Sequence, residues 1–118
     1  MIKEVILMIM MTGGGDGPVD ATFIEVETQA ECQERAANAI KVFPMAEITY
    51  VGHHCVTSQT RFSDFLHNPE PTGPKYYFDL VMSKDGKTLT AATPYVSLEI
   101  CKDRGGTNCV MAYQNIQP

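Results

Sequence analysis

Four cysteines carry the chemistry that this sequence offers most plainly: Cys32, Cys55, Cys101 and Cys109. Thiols can bind metal ions, act in redox catalysis or form disulfides. No two of them are spaced as Cys-x-x-Cys, the arrangement typical of redox-active and zinc-binding pairs. The spacing therefore favours two structural disulfides, for which three pairings are possible.

The expected positions of the cysteines select one of these pairings. Cys32 lies on the apolar stripe of a predicted helix, and Cys55 lies near the end of the strand that follows it. Cys101 and Cys109 flank a short polar loop, residues 102–108. We therefore predict disulfides between Cys32 and Cys55 and between Cys101 and Cys109, each stabilising by roughly 3 kcal/mol on the chain-entropy model.

The cluster His53-His54-Cys55 has the composition of a metal site, because imidazole and thiolate bind zinc and copper well. Successive side chains of a strand point to opposite faces, so His53 and Cys55 could converge while His54 points away. A disulfide at Cys55 would also remove the thiolate. We predict two ordinary strand histidines, with metal binding through His53, His54 or Cys55 as the alternative.

The sequence lacks a recognisable catalytic motif. It has no Gly-x-Ser-x-Gly, and the glycine-rich residues 13–17 lack the Lys-Ser/Thr ending of a phosphate-binding loop. Asp64 and His67 are spaced as a pair in one helical turn, but ordinary capped turns share that spacing. We predict no catalytic residues, no cofactor and no enzymatic activity.

A long connection, residues 58–75, is the best candidate for binding a partner, because connections of that length often have a function. Its apolar residues follow helical spacing and could contact a partner or anchor the loop on the core, while its polar residues could orient a partner. The predicted partner-binding residues are Arg61, Phe62, Phe65, Leu66, His67 and Glu70.

The charge of the chain excludes some classes of partner. Nine basic and fourteen acidic side chains give a net charge of -5, and no basic patch offsets it. Such a chain repels the phosphates of nucleic acids. No stretch approaches the roughly 18 apolar residues of a membrane-spanning helix. We predict no nucleic acid partner and no membrane span.

Strands and one helix are predicted to position these residues in the first half. Residues 5–11 are apolar without alternation, which indicates a strand covered on both faces rather than a leader peptide. A glycine-rich turn then leads to a strand over residues 21–27. Thr28 and Glu31 form a capping box that begins a helix over about residues 29–43, ended by Pro44.

The second half has the punctuation of a β-meander. Strands are predicted over residues 47–57, 76–83, 88–92, 95–101 and 109–113. Asp85 and Gly86 provide a strong hairpin turn. The whole chain, residues 1–118, is therefore predicted to be one α+β domain: an antiparallel sheet of about five to seven strands with one main helix packed on one face.

These features lead to three hypotheses about function. The favoured one is a non-enzymatic accessory or structural protein, stabilised by disulfides, that acts by protein–protein interaction or self-association. Its disulfides favour an extracytoplasmic place, such as the secreted, periplasmic or virion-surface environment, with the cytoplasm as the alternative. The other hypotheses are a metal-binding protein and an intracellular inhibitor with reduced cysteines.

Overall fold

Six strands, two α-helices and one 3₁₀ turn form the described part of the computed structural model, residues 4–13, 17–63 and 74–117. The helices are α1 (Gln29–Val42) and α2 (Leu98–Asp103), and the 3₁₀ turn (Phe43–Ala46) follows α1 directly. The strands are β1 (Val5–Gly13), β2 (Val19–Val26), β3 (Tyr50–Ser58), β4 (Tyr76–Met82), β5 (Thr88–Tyr95) and β6 (Cys109–Ala112).

The strands close into a barrel in the order β1-β2-β6-β4-β5-β3, so the predicted α+β fold with an antiparallel sheet is wrong. β1 pairs antiparallel with β2 and β3, and β4 pairs antiparallel with β5 and β6. Two short parallel contacts join these groups: Asp20 lies opposite Met111, and residues 57–58 lie opposite residues 88–89. The closure rests on these few residues, which no local sequence pattern marks.

β1 is covered on both faces, as its apolar run predicts, although a closed barrel has no central strand. It lies between β2 and β3, and its side chains alternate between two buried environments. Leu7, Ile9 and Met11 fill the barrel interior, while Met8 and Met10 lie on the outer face beneath α1. Because both faces of β1 are covered, residues 5–11 are all apolar and show no alternation.

Three phenylalanine rings occupy the interior of the barrel. The Phe23 ring stacks on the Phe62 ring with 3.7 Å between centroids, and both meet the edge of Phe78. Aliphatic side chains from every strand surround them: Leu7, Ile9, Ala21, Val56, Leu80, Leu89, Val110 and Ala112. This cluster is the hydrophobic core that holds the strands in register.

Helix α1 lies outside the barrel wall, and its start follows from the capping box. The Thr28 hydroxyl accepts a hydrogen bond from the Glu31 N–H at 3.0 Å. The Glu31 carboxylate accepts from the Glu27 N–H, one residue earlier than the box predicts. Cys32 and Ala36 face β1, and Cys32 forms the predicted disulfide with Cys55 of β3.

Residues 95–101 do not form the predicted strand. Ser97 caps a short helix instead, because its hydroxyl accepts from the Ile100 N–H at 3.1 Å. The resulting α2 brings Cys101 to Cys109, and the second predicted disulfide is formed. Gly106 lies against this disulfide: a Cβ there would stand only 2.5 Å from the Cys109 Sγ.

The described helices include none that is long and apolar enough to cross a membrane. The longer of them, α1, has 14 residues and an exposed polar face.

Candidate functional site

A polar cleft of about 750 Å³ lies beside β3, and we call it the polar cleft. Three elements line it: the first turns of α1, the middle of β3, and the turn between β4 and β5. Its lining residues are Gln29, Gln33, His53, His54, Cys55, Thr57, Asp85, Gly86, Lys87 and Thr88. Hydrogen-bonding side chains predominate in this list.

β3 brings two histidines to the cleft from opposite faces of one strand. His54 pairs with Ile9, whose side chain lies in the barrel interior, while Cys55 pairs with Met8 and is bonded to α1. Strand alternation therefore places His53 with Cys55 on the outer face, as predicted. The His53 Nδ1 shares a hydrogen bond of 2.7 Å with the Tyr50 hydroxyl.

Burial makes His54 a neutral side chain. Its pKa is lowered, first by desolvation and then by the neighbouring His53. A lowered histidine pKa favours the uncharged imidazole at neutral pH. His54 can therefore donate or accept one hydrogen bond in the cleft without contributing a charge.

The turn between β4 and β5 holds the two charged groups of the cleft. The Asp85 carboxylate accepts from the Ser83 hydroxyl at 2.6 Å and from the Lys87 N–H at 3.0 Å. These hydrogen bonds lower the pKa of Asp85, so it stays ionised. Asp85 therefore shapes the turn, and Lys87 follows it on the same wall of the cleft.

The metal alternative for this site loses one of its ligands. The Cys55 Sγ is bonded to the Cys32 Sγ, which leaves His53 and His54 on opposite faces of β3. In the described ranges, Asp79, Cys101 and Cys109 have ligand atoms within 4.8 Å of one another. Both of those sulfurs also belong to a disulfide, so neither is a thiolate.

The predicted partner-binding residues are divided by the structure. Arg61 is exposed and forms two hydrogen bonds to the Glu25 carboxylate, at 2.7 and 2.9 Å. Glu25 raises the pKa of Arg61 through those bonds. Phe62 is buried in the core against Phe23, which is the anchoring role that its spacing left open. Phe65, Leu66, His67 and Glu70 lie outside the described residues.

A segment with five exposed apolar side chains, which sequence reasoning missed, runs from the end of α1 into β3. We call these five side chains, which lie within ten residues of the chain, the apolar surface: Val42, Met45, Ile48, Tyr50 and Val51. The 3₁₀ turn folds the chain back here, because the Ile48 N–H donates to the Phe43 carbonyl at 2.9 Å. The available signal was the large apolar residues on both sides of Pro44, but these had been assigned to the predicted helix and strand.

Comparison with known proteins gives no further information about the site. No protein family model, no curated protein and no solved structure matches this chain.

Proposed function

We propose that this protein is a small disulfide-stabilised binding protein that acts by protein–protein contact and carries out no catalysis. The apolar surface is the observation that carries the proposal. Met45 has 78% of its surface exposed, and Val42 has 51%. Five of the eight exposed large apolar residues of the described chain fall in this one segment.

Exposure of clustered apolar groups to water is unfavourable, and a functioning protein usually buries such groups against a partner. Isolated exposed apolar side chains are common, whereas adjoining ones mark interaction sites. Burial of such side chains contributes roughly 25 cal/mol per Å² to association. Met45 suits this role because its unbranched side chain adapts to the shape of a partner.

We also propose an extracytoplasmic place of action, such as a secreted, periplasmic or virion-surface environment. The two disulfides fit an oxidising compartment. They would also help a small protein to stay folded in such a compartment, because they restrict the unfolded chain.

A pair of lysine substitutions tests the proposal. Met45→Lys places a charge in the apolar surface, while Val96→Lys changes an equally exposed side chain, at 79%, between β5 and α2. Sedimentation equilibrium would measure self-association, and a photoreactive group attached near residue 45 would identify a bound protein for direct titration.

We expect Met45→Lys to weaken the measured association at least tenfold, while Val96→Lys leaves it within about twofold. Both variants should unfold like the parent protein, since both positions are exposed. Equal effects of the two substitutions, or a monomer that cross-links to nothing, would contradict the proposal.

A further inference from the structure

We propose that the polar cleft binds an extended, uncharged polar peptide segment of another protein, which adds to the open edge of β3 as a further strand. The lining of the polar cleft shares no residue with the apolar surface, although Tyr50 of that surface hydrogen-bonds to His53 of the cleft, so the inference does not rest on the proposed function. Either can fail while the other holds.

The first step is that one edge of β3 is open. β3 pairs with β1 along its whole length, but on its other side it meets β5 only at residues 57 and 58. Because the two strands are parallel, β5 then runs away from residues 50–56 of β3. Within residues 4–13, 17–63 and 74–117, no strand pairs with that side of residues 50–56.

The second step identifies the backbone groups at this edge. The Thr57 N–H points away from β1, because it donates to the Lys87 carbonyl at 2.9 Å. In an antiparallel strand, alternate residues direct their N–H and C=O groups to the same side. The backbone groups of His53 and Cys55 therefore point to the open edge, while those of His54 and Val56 bond to β1.

The third step is the shape of the site. The polar cleft lies along this same part of β3, with Gln29 and Gln33 of α1 on one wall and residues 85–88 on the other. A single extended chain fits between two such walls more readily than the edge of a second barrel. Strand addition of this kind takes its affinity from main-chain hydrogen bonds and its specificity from the surrounding side chains.

The fourth step is the chemistry of the occupant. The lining carries one ammonium, Lys87, and one carboxylate, Asp85, which is already hydrogen-bonded within its turn. The remaining polar groups are amides, hydroxyls and imidazoles. The Lys87 ammonium opposes basic segments within the cleft, and the charge of -5 on the whole protein repels acidic segments at long range. Segments rich in Ser, Thr, Asn and Gln complement this lining best.

The test uses the full-length protein labelled with ¹⁵N and a defined set of probes. The main probe is a pool of capped heptapeptides built from Ser, Thr, Asn, Gln and Val, and the comparison pools replace the polar residues by Lys or by Glu. Cellohexaose serves as a saccharide probe. We expect the neutral pool alone to shift the amide signals of His53 and Cys55 and to slow their hydrogen exchange.

Two substitutions separate the backbone of β3 from its side chain. His53→Pro removes the N–H at the open edge, where proline is tolerated in a sheet. His53→Ala removes the imidazole and keeps that N–H. For a peptide chosen from the pool, we expect His53→Pro to weaken binding about tenfold or more, and His53→Ala to change it by less than about threefold.

A second measurement keeps the test decisive if His53→Pro fails to fold. Two versions of the chosen peptide are made, which are N-methylated at odd-numbered or at even-numbered residues; these are the two registers of methylation. Strand addition predicts that one register loses binding and that the other keeps it. Failure of every peptide to bind at millimolar concentration, equal loss in both registers, or signal shifts with cellohexaose alone would overturn the proposal.

Discussion

Gln114 shows how much a single side chain contributes to this barrel. Its Oε1 accepts from the Phe23 N–H at 2.8 Å, and its Nε2 donates to the Phe23 carbonyl at 2.7 Å. The same Nε2 also donates to the Ser63 carbonyl at 2.7 Å. β2 pairs with β6 only at Asp20, so at Phe23 the Gln114 amide supplies the hydrogen bonds that a neighbouring strand would otherwise make. It is 3% exposed, so water cannot replace these bonds.

Gln114→Ala should therefore destabilise the protein strongly. The substitution leaves the buried N–H and C=O of Phe23 without partners, which costs about 2–4 kcal/mol of unfolding free energy. Urea unfolding followed by circular dichroism would measure it. Gln59→Ala, at an exposed position, is the control and should change stability by less than about 0.5 kcal/mol. A similar small effect at Gln114 would show that β2 does not depend on this amide.

Asp20 predicts a pH dependence of stability. Its Oδ1 is buried without a hydrogen-bond partner, and desolvation raises its pKa from 3.8, partly offset by Lys75. The folded protein therefore holds this proton more tightly than the unfolded chain does. Ionising Asp20 opposes folding, so its contribution lowers stability as pH rises from the unfolded pKa through the folded one.

Asp20→Asn removes this ionisation and should raise stability at pH 7. The gain should shrink as pH falls and disappear below about pH 3.8, where the carboxyl is protonated in both states. Chemical unfolding between pH 3 and pH 7 would measure the difference, with the exposed Asp103→Asn as control. A variant less stable than the parent at pH 7 would be evidence against this account.

At the scale of elements, one edge of β3 is paired with β1 and the other is open over residues 50–56. Rates of amide hydrogen exchange should differ between the two edges. The His54 and Val56 N–H groups bond to β1, whereas the His53 and Cys55 groups face the open edge. In the free protein we expect alternating protection, with His54 and Val56 exchanging at least about tenfold more slowly. Exchange-resolved NMR spectra would show the pattern. Uniform protection over residues 53–56 would mean that this edge is covered.

Local elements were predictable where local physics decides them. β1 follows from a run that is apolar on both faces, and the start of α1 follows from Thr28 and Glu31. The hairpin between β4 and β5 follows from Asp85 and Gly86, which has a φ of 72°. Residues 95–101 were predicted wrongly because their apolar alternation resembles a strand, while the Ser97 cap and the nearby disulfide favour a helix.

At the scale of the whole molecule, each disulfide ties a helix to the barrel wall. Cys32–Cys55 joins α1 to β3 across 23 residues, and Cys101–Cys109 joins α2 to β6 across 8. The longer loop restricts the unfolded chain more. On the chain-entropy model the two bonds contribute about 3.4 and about 2.6 kcal/mol.

Replacing each cysteine pair by serines should therefore lower the unfolding free energy more for the first disulfide than for the second. We expect the Cys32→Ser, Cys55→Ser variant to be the less stable of the two in guanidinium unfolding. Intact-mass analysis should show no alkylation of the denatured parent before reduction and four alkylated cysteines after it. Free thiols in the unreduced parent, or the opposite order of stability, would contradict the assigned roles.

The sequence by itself determined the cysteine pairing, the buried strand β1, the capped helix α1 and the hairpin between β4 and β5. Each of these depends on neighbouring residues or on a pattern within one element. Only the tertiary structure decided that the sheet closes into a barrel, that Phe62 lies inside it, and that β3 keeps an open edge beside His53. These features depend on contacts such as Asp20 with Met111, Thr57 with Thr88, and Gln114 with Phe23, which join residues far apart in the chain. Local propensity and periodicity cannot predict such contacts, because the contacts stabilise the protein only once the strands have packed together.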